Sequence, residues 1–197
     1  MVRNARTGLL LLFALTIGAC TPPQPTFKGS DVTGADWGGD ITLTAQTGKR
    51  ASTADYRGKT LVIFFGFTNC PDICSPTLAK LAALRKALGP DAGQVQVLFV
   101  TVDPANDTPE RLASFLPKFD PTFVGLTGTA EEVATAAREY KVISVPAGAS
   151  GERFDHSGSV MVKDKSGQLR LVWRNDLSVD DMAQDVRLLQ QMPANAD

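Results

Sequence analysis

Two cysteines with three residues between them, Cys70-Pro71-Asp72-Ile73-Cys74, and the sole histidine, His156, are the residues of this chain best suited to soft-metal or redox chemistry. Side chains four apart on a helical turn face the same side. If Pro71 opens a helix, as its fixed φ favours, the two sulfurs can converge on one metal ion or approach disulfide geometry. The positive end of a helix dipole would also favour thiolate over thiol there. Dithiol oxidoreductases usually have two residues between their cysteines, so a spacing of three shifts the reading toward metal. Two soft thiolates select Cu(I), zinc or iron-sulfur clusters, and an added imidazole gives a Cys2His set that also accommodates Cu(II). A structural zinc site would need four ligands, whereas the third cysteine, Cys20, lies far upstream and no second histidine exists. The alternative left open is an envelope thiol-disulfide oxidoreductase or peroxiredoxin-like peroxidase, with Cys70 as nucleophile and Cys74 as resolving thiol; Thr68, two residues ahead of Cys70, fits a peroxidase pattern.

These residues need a scaffold, and the hydropathy pattern supplies one. Ile41-Thr42-Leu43-Thr44 alternates like a half-buried strand, and Gln46-Thr47-Gly48-Lys49 turns it toward a second extended stretch, a hairpin at the domain entrance. Leu61 to Phe65 and Val95 to Val102 are continuous apolar runs, as expected of strands buried on both faces. Between them Leu78, Leu81, Ala82, Leu84 and Leu88 fall at helical spacing until Gly89-Pro90. Thr108-Pro109-Glu110 reads as an N-cap followed by proline at the first helical position, opening a helix to about Lys118. Phe123 to Leu126 is a short strand, residues 129 to 140 a helix, and Val142 to Val145 an extended piece. A Gly, Ser and Pro-rich loop over 146 to 158 carries His156, before Val160-Met161-Val162, a turn over 163 to 168 and Leu169 to Trp173 make a second hairpin. The last helix presents Val179, Met182, Ala183, Val186 and Leu189 on one face. The order β-α-β-α-β-α, hairpin, helix predicts an α/β thioredoxin-like three-layer sandwich with an extra N-terminal hairpin. In such a fold the loop before the third main strand runs beside the cysteine turn, so Phe154-Asp155-His156-Ser157 would bring a donor atom where oxidoreductases carry a proline.

With 43% hydrophobic residues over 197, the chain suits one domain with a buried core. A net charge of −1 with no block of like charge argues against nucleic acid as a partner. Arg3 and Arg6, an apolar run from Leu9 to Ile17 and the small pair Gly18-Ala19 have the layout of an export signal. The run is too short for a membrane span of about 20 apolar residues, and Pro22, Pro23 and Pro25 stop it from continuing. Ile17-Gly18-Ala19-Cys20 resembles a bacterial lipobox, in which Cys20 would become the lipidated first residue. The expected division is a signal peptide over 1–19, a lipidated tether over 20–36, a thioredoxin-like domain over 37–192 and a tail over 193–197.

The chain resembles the Sco/SenC copper-binding proteins. The resemblance is carried by Phe64-Phe65-Gly66-Phe67-Thr68-Asn69-Cys70-Pro71-Asp72-Ile73-Cys74, by Thr101-Val102-Asp103-Pro104 with Asp107-Thr108-Pro109-Glu110, and by Asp155-His156-Ser157. It implies a thioredoxin fold anchored to the membrane, with Cys70, Cys74 and His156 as ligands of Cu(I), Cu(II) or both. It further implies a role in assembling the dinuclear copper centre in subunit II of cytochrome c oxidase, by copper delivery, by thiol reduction or both. Subunit II and other periplasmic copper carriers are then the expected partners, in the bacterial envelope on the periplasmic side. Asn69 stands where many members have histidine, and Ser75-Pro76 follows the second cysteine where proline and threonine are frequent. Asp72 and Asp155 are candidates for hydrogen bonding to the ligands. The Asp103 to Glu110 stretch reads more simply as a strand-end turn and a helix cap.

Overall fold

A computed structural model describes residues 26–142 and 158–193. The Val142–Val145 extension beyond residue 142, most of the 146–158 loop with Asp155 and His156, and the leader with Cys20 lie outside the described residues.

The two apolar runs become the centre of one sheet. β4 (Thr60–Gly66) and β5 (Val95–Thr101) are buried at every position and pair in parallel from Thr60↔Val95 to Gly66↔Thr101. Burial on both faces explains their unbroken hydropathy. β6 (Val124–Thr127) extends the sheet in parallel beyond β5, while β7 (Val160–Lys163) and β8 (Leu169–Trp173) extend it antiparallel beyond β4. The predicted hairpin, β2 (Thr42–Ala45) and β3 (Arg50–Ser52), adds to the outer edge of β6. With a short β1 (Ser30–Asp31) on β8, the order across the sheet is β1-β8-β7-β4-β5-β6-β2-β3.

Helices cover both faces. α1 (Cys74–Leu88), α2 (Pro109–Phe115) and α4 (Val179–Gln191) sit on one side, where Leu78, Leu81, Leu84, Leu112, Val186 and Leu189 pack with Phe64, Phe99 and Trp173. α3 (Ala130–Glu139) covers the other side, joining Val133, Ala136 and Tyr140 to Ile63, Phe65, Val100 and Leu43. These three layers are the expected thioredoxin-like architecture with its added hairpin. The Thr108-Pro109 helix start read from the sequence is the one the chain uses, and α3 adds a cap that was not read. Thr108 caps α2 by accepting from Arg111 N with Pro109 behind it, and Thr129 and Glu132 form a reciprocal capping box on α3.

β1 lies inside the stretch that composition marks as tether. It is held largely by backbone: Ser30 and Asp31 pair with Val172 and Leu171, and Val32 N donates to Arg170 O at 2.9 Å. Behind it the fully buried carboxylate of Asp185 accepts from Lys28 N at 2.7 Å, Gly29 N at 2.9 Å and the Trp173 indole at 2.9 Å. Gly29 fits because a Cβ there would stand 2.5 Å from the Trp173 ring. No described helix is long and apolar enough to cross a membrane.

Candidate metal centre

β4 ends at Gly66, whose carbonyl accepts from Val102 N at 2.9 Å and so keeps the ends of β4 and β5 together. The chain then turns through Phe67 to Cys70, closed by Cys70 N donating to Phe67 O at 3.2 Å. α1 begins only at Cys74, with Ile73 as N-cap and Thr77 N donating to Ile73 O at 3.0 Å. Pro71 therefore lies in the turn ahead of the helix and not at its first position, a correction to the sequence reading. Residues 71 to 73 are bends that link the Phe67–Cys70 turn to the helix. The sulfurs come together because a turn and a helix start face each other, with a hydrogen bond between the two thiols.

The two thiols are unlike. Cys74 is fully buried in the core under β4, and a Cβ added to Gly66 would sit 2.8 Å from its sulfur. Burial, the hydrogen bond to Cys70 and the nearby charge of Asp107 push the Cys74 thiol far above the usual range, outweighing the backbone contact from Phe67. The thiolate bias expected from the helix dipole is thus overridden at Cys74 by desolvation; a soft cation would have to displace its proton. Cys70 is half-buried, and no disulfide joins it to Cys74. Asp72 is exposed on the turn. Among the described residues no three histidine, cysteine or acidic side chains gather as a metal site. His156 and Cys20 lie outside those residues, as does Asp155.

What the structure does describe is where the histidine loop returns. Gly158, at φ +61°, packs on the cysteine turn so closely that a Cβ there would meet Ile73 Cδ1 at 3.1 Å and Asn175 Cβ at 3.4 Å. Two residues later β7 begins, with Val160 opposite Phe64.

Sequence reasoning missed a polar support beneath the turn. Asp107, read as part of a loop and cap, is fully buried with both oxygens aimed at the cysteine loop. Its Oδ2 accepts from Thr68 N at 3.0 Å and Thr101 Oγ1 at 2.7 Å, and its Oδ1 from Thr68 Oγ1 at 2.5 Å. From the solvent side Arg111 donates to Thr68 Oγ1 at 2.7 Å and Asn69 Oδ1 at 2.6 Å. One signal was available: Asp107 and Thr108 are both good cap residues, a helix takes one, and the spare carboxylate needs another employer.

Comparison with known proteins agrees with this architecture. Residues 30–191 match the SCO1/SenC family profile. The mitochondrial SCO2 homologue of Bos taurus is 36% identical over 155 residues, covering 76% of this chain and 58% of that protein. The chain thus spans little more than half the length of that relative. The structure of Bradyrhizobium japonicum ScoI with copper bound superposes with a TM-score of 0.70 at 32% identity, over 78% of this chain and 99% of that one. A SCO1/SenC family lipoprotein from Bacillus anthracis gives a TM-score of 0.72 at 25% identity, over 84% of this chain and 100% of that one. The profile match covers every strand and helix described above, and on that ground the chain belongs to the SCO1/SenC family.

Proposed function

We propose that the protein is a copper-binding metallochaperone that assists assembly of the dinuclear copper site of cytochrome c oxidase, by copper delivery, thiol reduction or both. Copper is its cargo, held by Cys70, Cys74 and His156. The observation that carries this reading is the seating of Gly158 against Ile73, at the turn where the two thiols meet. His156 precedes that glycine by two residues in the sequence. Two thiolates and an imidazole suit copper in either oxidation state. The copper-bound ScoI relative supports the same metal.

The unequal burial of the thiols suggests a direction of transfer. Cys74 anchors the ion from inside, and the more accessible Cys70 is the ligand an incoming cysteine of the target exchanges with first. In the metal-free reduced state Cys70 would attack a target disulfide and Cys74 would resolve the mixed disulfide. Two electrons pass to the target as its dithiol while Cys70 and Cys74 become a disulfide. The oxidoreductase and peroxidase alternatives are not favoured, since ScoI of Bradyrhizobium japonicum, ScoI of Arabidopsis thaliana and yeast Sco1 all have copper-bound structures.

The lipobox-like Ile17-Gly18-Ala19-Cys20 favours lipidation of Cys20 and residence in the bacterial envelope with the domain on the periplasmic side, a reading supported by the Bacillus anthracis lipoprotein relative. Subunit II of the oxidase and other periplasmic copper carriers are the proposed partners.

Metal analysis and copper titration of reduced protein test the site. Stoichiometric copper should be lost in Cys70→Ser and Cys74→Ser, and His156→Ala should weaken Cu(II) binding by at least about tenfold. Unchanged affinity in His156→Ala would remove the histidine from the set.

A further inference from the structure

We propose that Asp107 is a positioning residue of the metal centre: its buried carboxylate, wired through Thr68, holds the Phe67–Cys70 turn so that the Cys70 sulfur stays presented to Cys74. The inference rests on the metallochaperone reading for its biological meaning, while its physical content concerns the geometry of the thiol pair alone.

Between the last residue of β4 and the first of α1 the chain makes a turn in which Cys70 N donates to Phe67 O at 3.2 Å. Asp107 takes both the N–H and the hydroxyl of Thr68, a two-point grip that fixes the orientation of the peptide two residues before Cys70. The same carboxylate is itself fixed from β5 by Thr101 Oγ1, and its own N–H donates to Asp103 O at 2.9 Å. The backbone of Asp107, pinned through Asp103, therefore seats the carboxylate beneath the turn, and Thr101 is a further contact from β5. Arg111 closes the outer side through Thr68 Oγ1 and Asn69 Oδ1. Its Nε stands 4.0 Å from Asp107 Oδ1 and its side chain is half exposed, so the buried hydrogen bonds, and not this ion pair, carry the restraint. A buried carboxylate with three donors is a costly thing to place in a core unless its geometry is used. Metal ligands commonly depend on such supporting hydrogen bonds for their orientation.

Thr101 gives the means to separate positioning from stability. Thr101→Val removes a donor to Asp107 from the strand side, leaving the grip on the turn intact; Thr68→Val removes a donor from the turn side. Asp107→Asn keeps the shape and one acceptor oxygen. For each variant, melting temperature is measured alongside two site readouts. The first is the equilibrium constant for forming the Cys70–Cys74 disulfide with oxidised glutathione, which takes up the two electrons and two protons. The second is the rate of copper loss from the loaded protein to a strong chelator. Asp107→Asn and Thr68→Val are expected to shift both readouts by about tenfold or more. Thr101→Val should move each by less than about twofold even if it lowers the melting temperature as much. Thr68→Ser should restore wild-type values. Site readouts that simply track melting temperature across all four variants, or that stay at wild type in Asp107→Asn and Thr68→Val, overturn the proposal. If the wild type holds no copper but its disulfide equilibrium responds as described, the metallochaperone reading fails and the positioning role stands.

Discussion

At the Lys163 end of β7 a fully buried ammonium is met by fixed acceptors; at the Val160 end, beside the cysteine turn, a fully buried carboxylate is met by fixed donors. Lys163 Nζ donates to Gly39 O at 3.1 Å and Tyr140 Oη at 3.4 Å, and pairs with Asp40 at 3.3 Å. Asp40 is held in turn by Arg57 at 2.7 Å and by the Thr53 hydroxyl at 2.9 Å. Burial pulls the Lys163 ammonium below its usual range, and the charge of Asp40 pulls it back up. Burial would raise the Asp40 carboxyl, yet Arg57, Thr53 and Lys163 bring it down to about 2. Every charge in this cluster meets a partner, and the cluster ties the segment before β2 to α3 and β7. At the other end Asp107 is equally buried, and what it grips is the turn that carries Cys70. One end uses a buried charge to tie three segments together; the other uses one to set the shape of a single turn.

That contrast can be broken in several places. The largest effect is expected from Lys163→Ala, which empties the space of a buried side chain and takes a donor from Gly39 O and Tyr140 Oη, while Asp40 keeps Arg57 and Thr53. It should cost about 2–5 kcal/mol in urea unfolding while copper per folded molecule stays at wild type. Copper loss in the folded fraction would show that the two ends are not separate. Gly66→Ala is the converse. Its Cβ would press on the Cys74 sulfur at 2.8 Å and on Phe99 at 3.0 Å, so copper retention should fall along with a stability loss of about 1–3 kcal/mol. A variant with full copper affinity would mean that the sulfur can move aside freely. A chemical difference within the pair should follow from burial alone. In reduced apo-protein near pH 8, iodoacetamide should modify Cys70 at least about tenfold faster than Cys74, as mapped by mass spectrometry. Equal rates would contradict the buried setting of Cys74.

The smallest effect is the acid dependence of the Lys163 end. Because the folded-state pKa of Asp40 lies below the ordinary 3.8, its contribution to stability is full above that value and is lost as pH falls toward about 2. The side chain is about a third exposed, so after solvent screening the loss should be on the order of 1 kcal/mol or less. Asp40→Asn should flatten this part of the stability curve between pH 4 and about 2, and an unchanged slope would assign the acid sensitivity elsewhere.

Much of the scaffold was legible because burial writes itself into hydropathy. β4 and β5 are apolar at nearly every position, α1 repeats leucine along one face, and Thr108 announces its helix. The pairing of Cys70 with Cys74 was legible from spacing, though the reason for it was not, since a turn and not a helical face brings them together. Three features left no local trace. β1 is two exposed residues whose attachment runs through backbone pairing and through Asp185 in the last helix. Lys163 reads as the opening of a charged turn, yet it is the last residue of β7 and meets Gly39 and Asp40, which precede it by more than a hundred residues. Asp107 looks like one more polar loop residue because its partners, Thr68 and Thr101, belong to different strand ends. In each case the sequence carries the group, and the distant contact that gives it meaning exists only in three dimensions.

The strap formed by β1 has a directional outcome. Ser30 lies opposite Val172, Trp173 opposite Val160, and Val160 opposite Phe64, so the polypeptide joins the sheet from the side on which the cysteine turn is displayed. With Lys28 and Gly29 clasped by Asp185, the chain is fastened to the body from residue 28 onward. A load applied through Lys28 would therefore enter the domain at the end of the sheet that carries the cysteine turn.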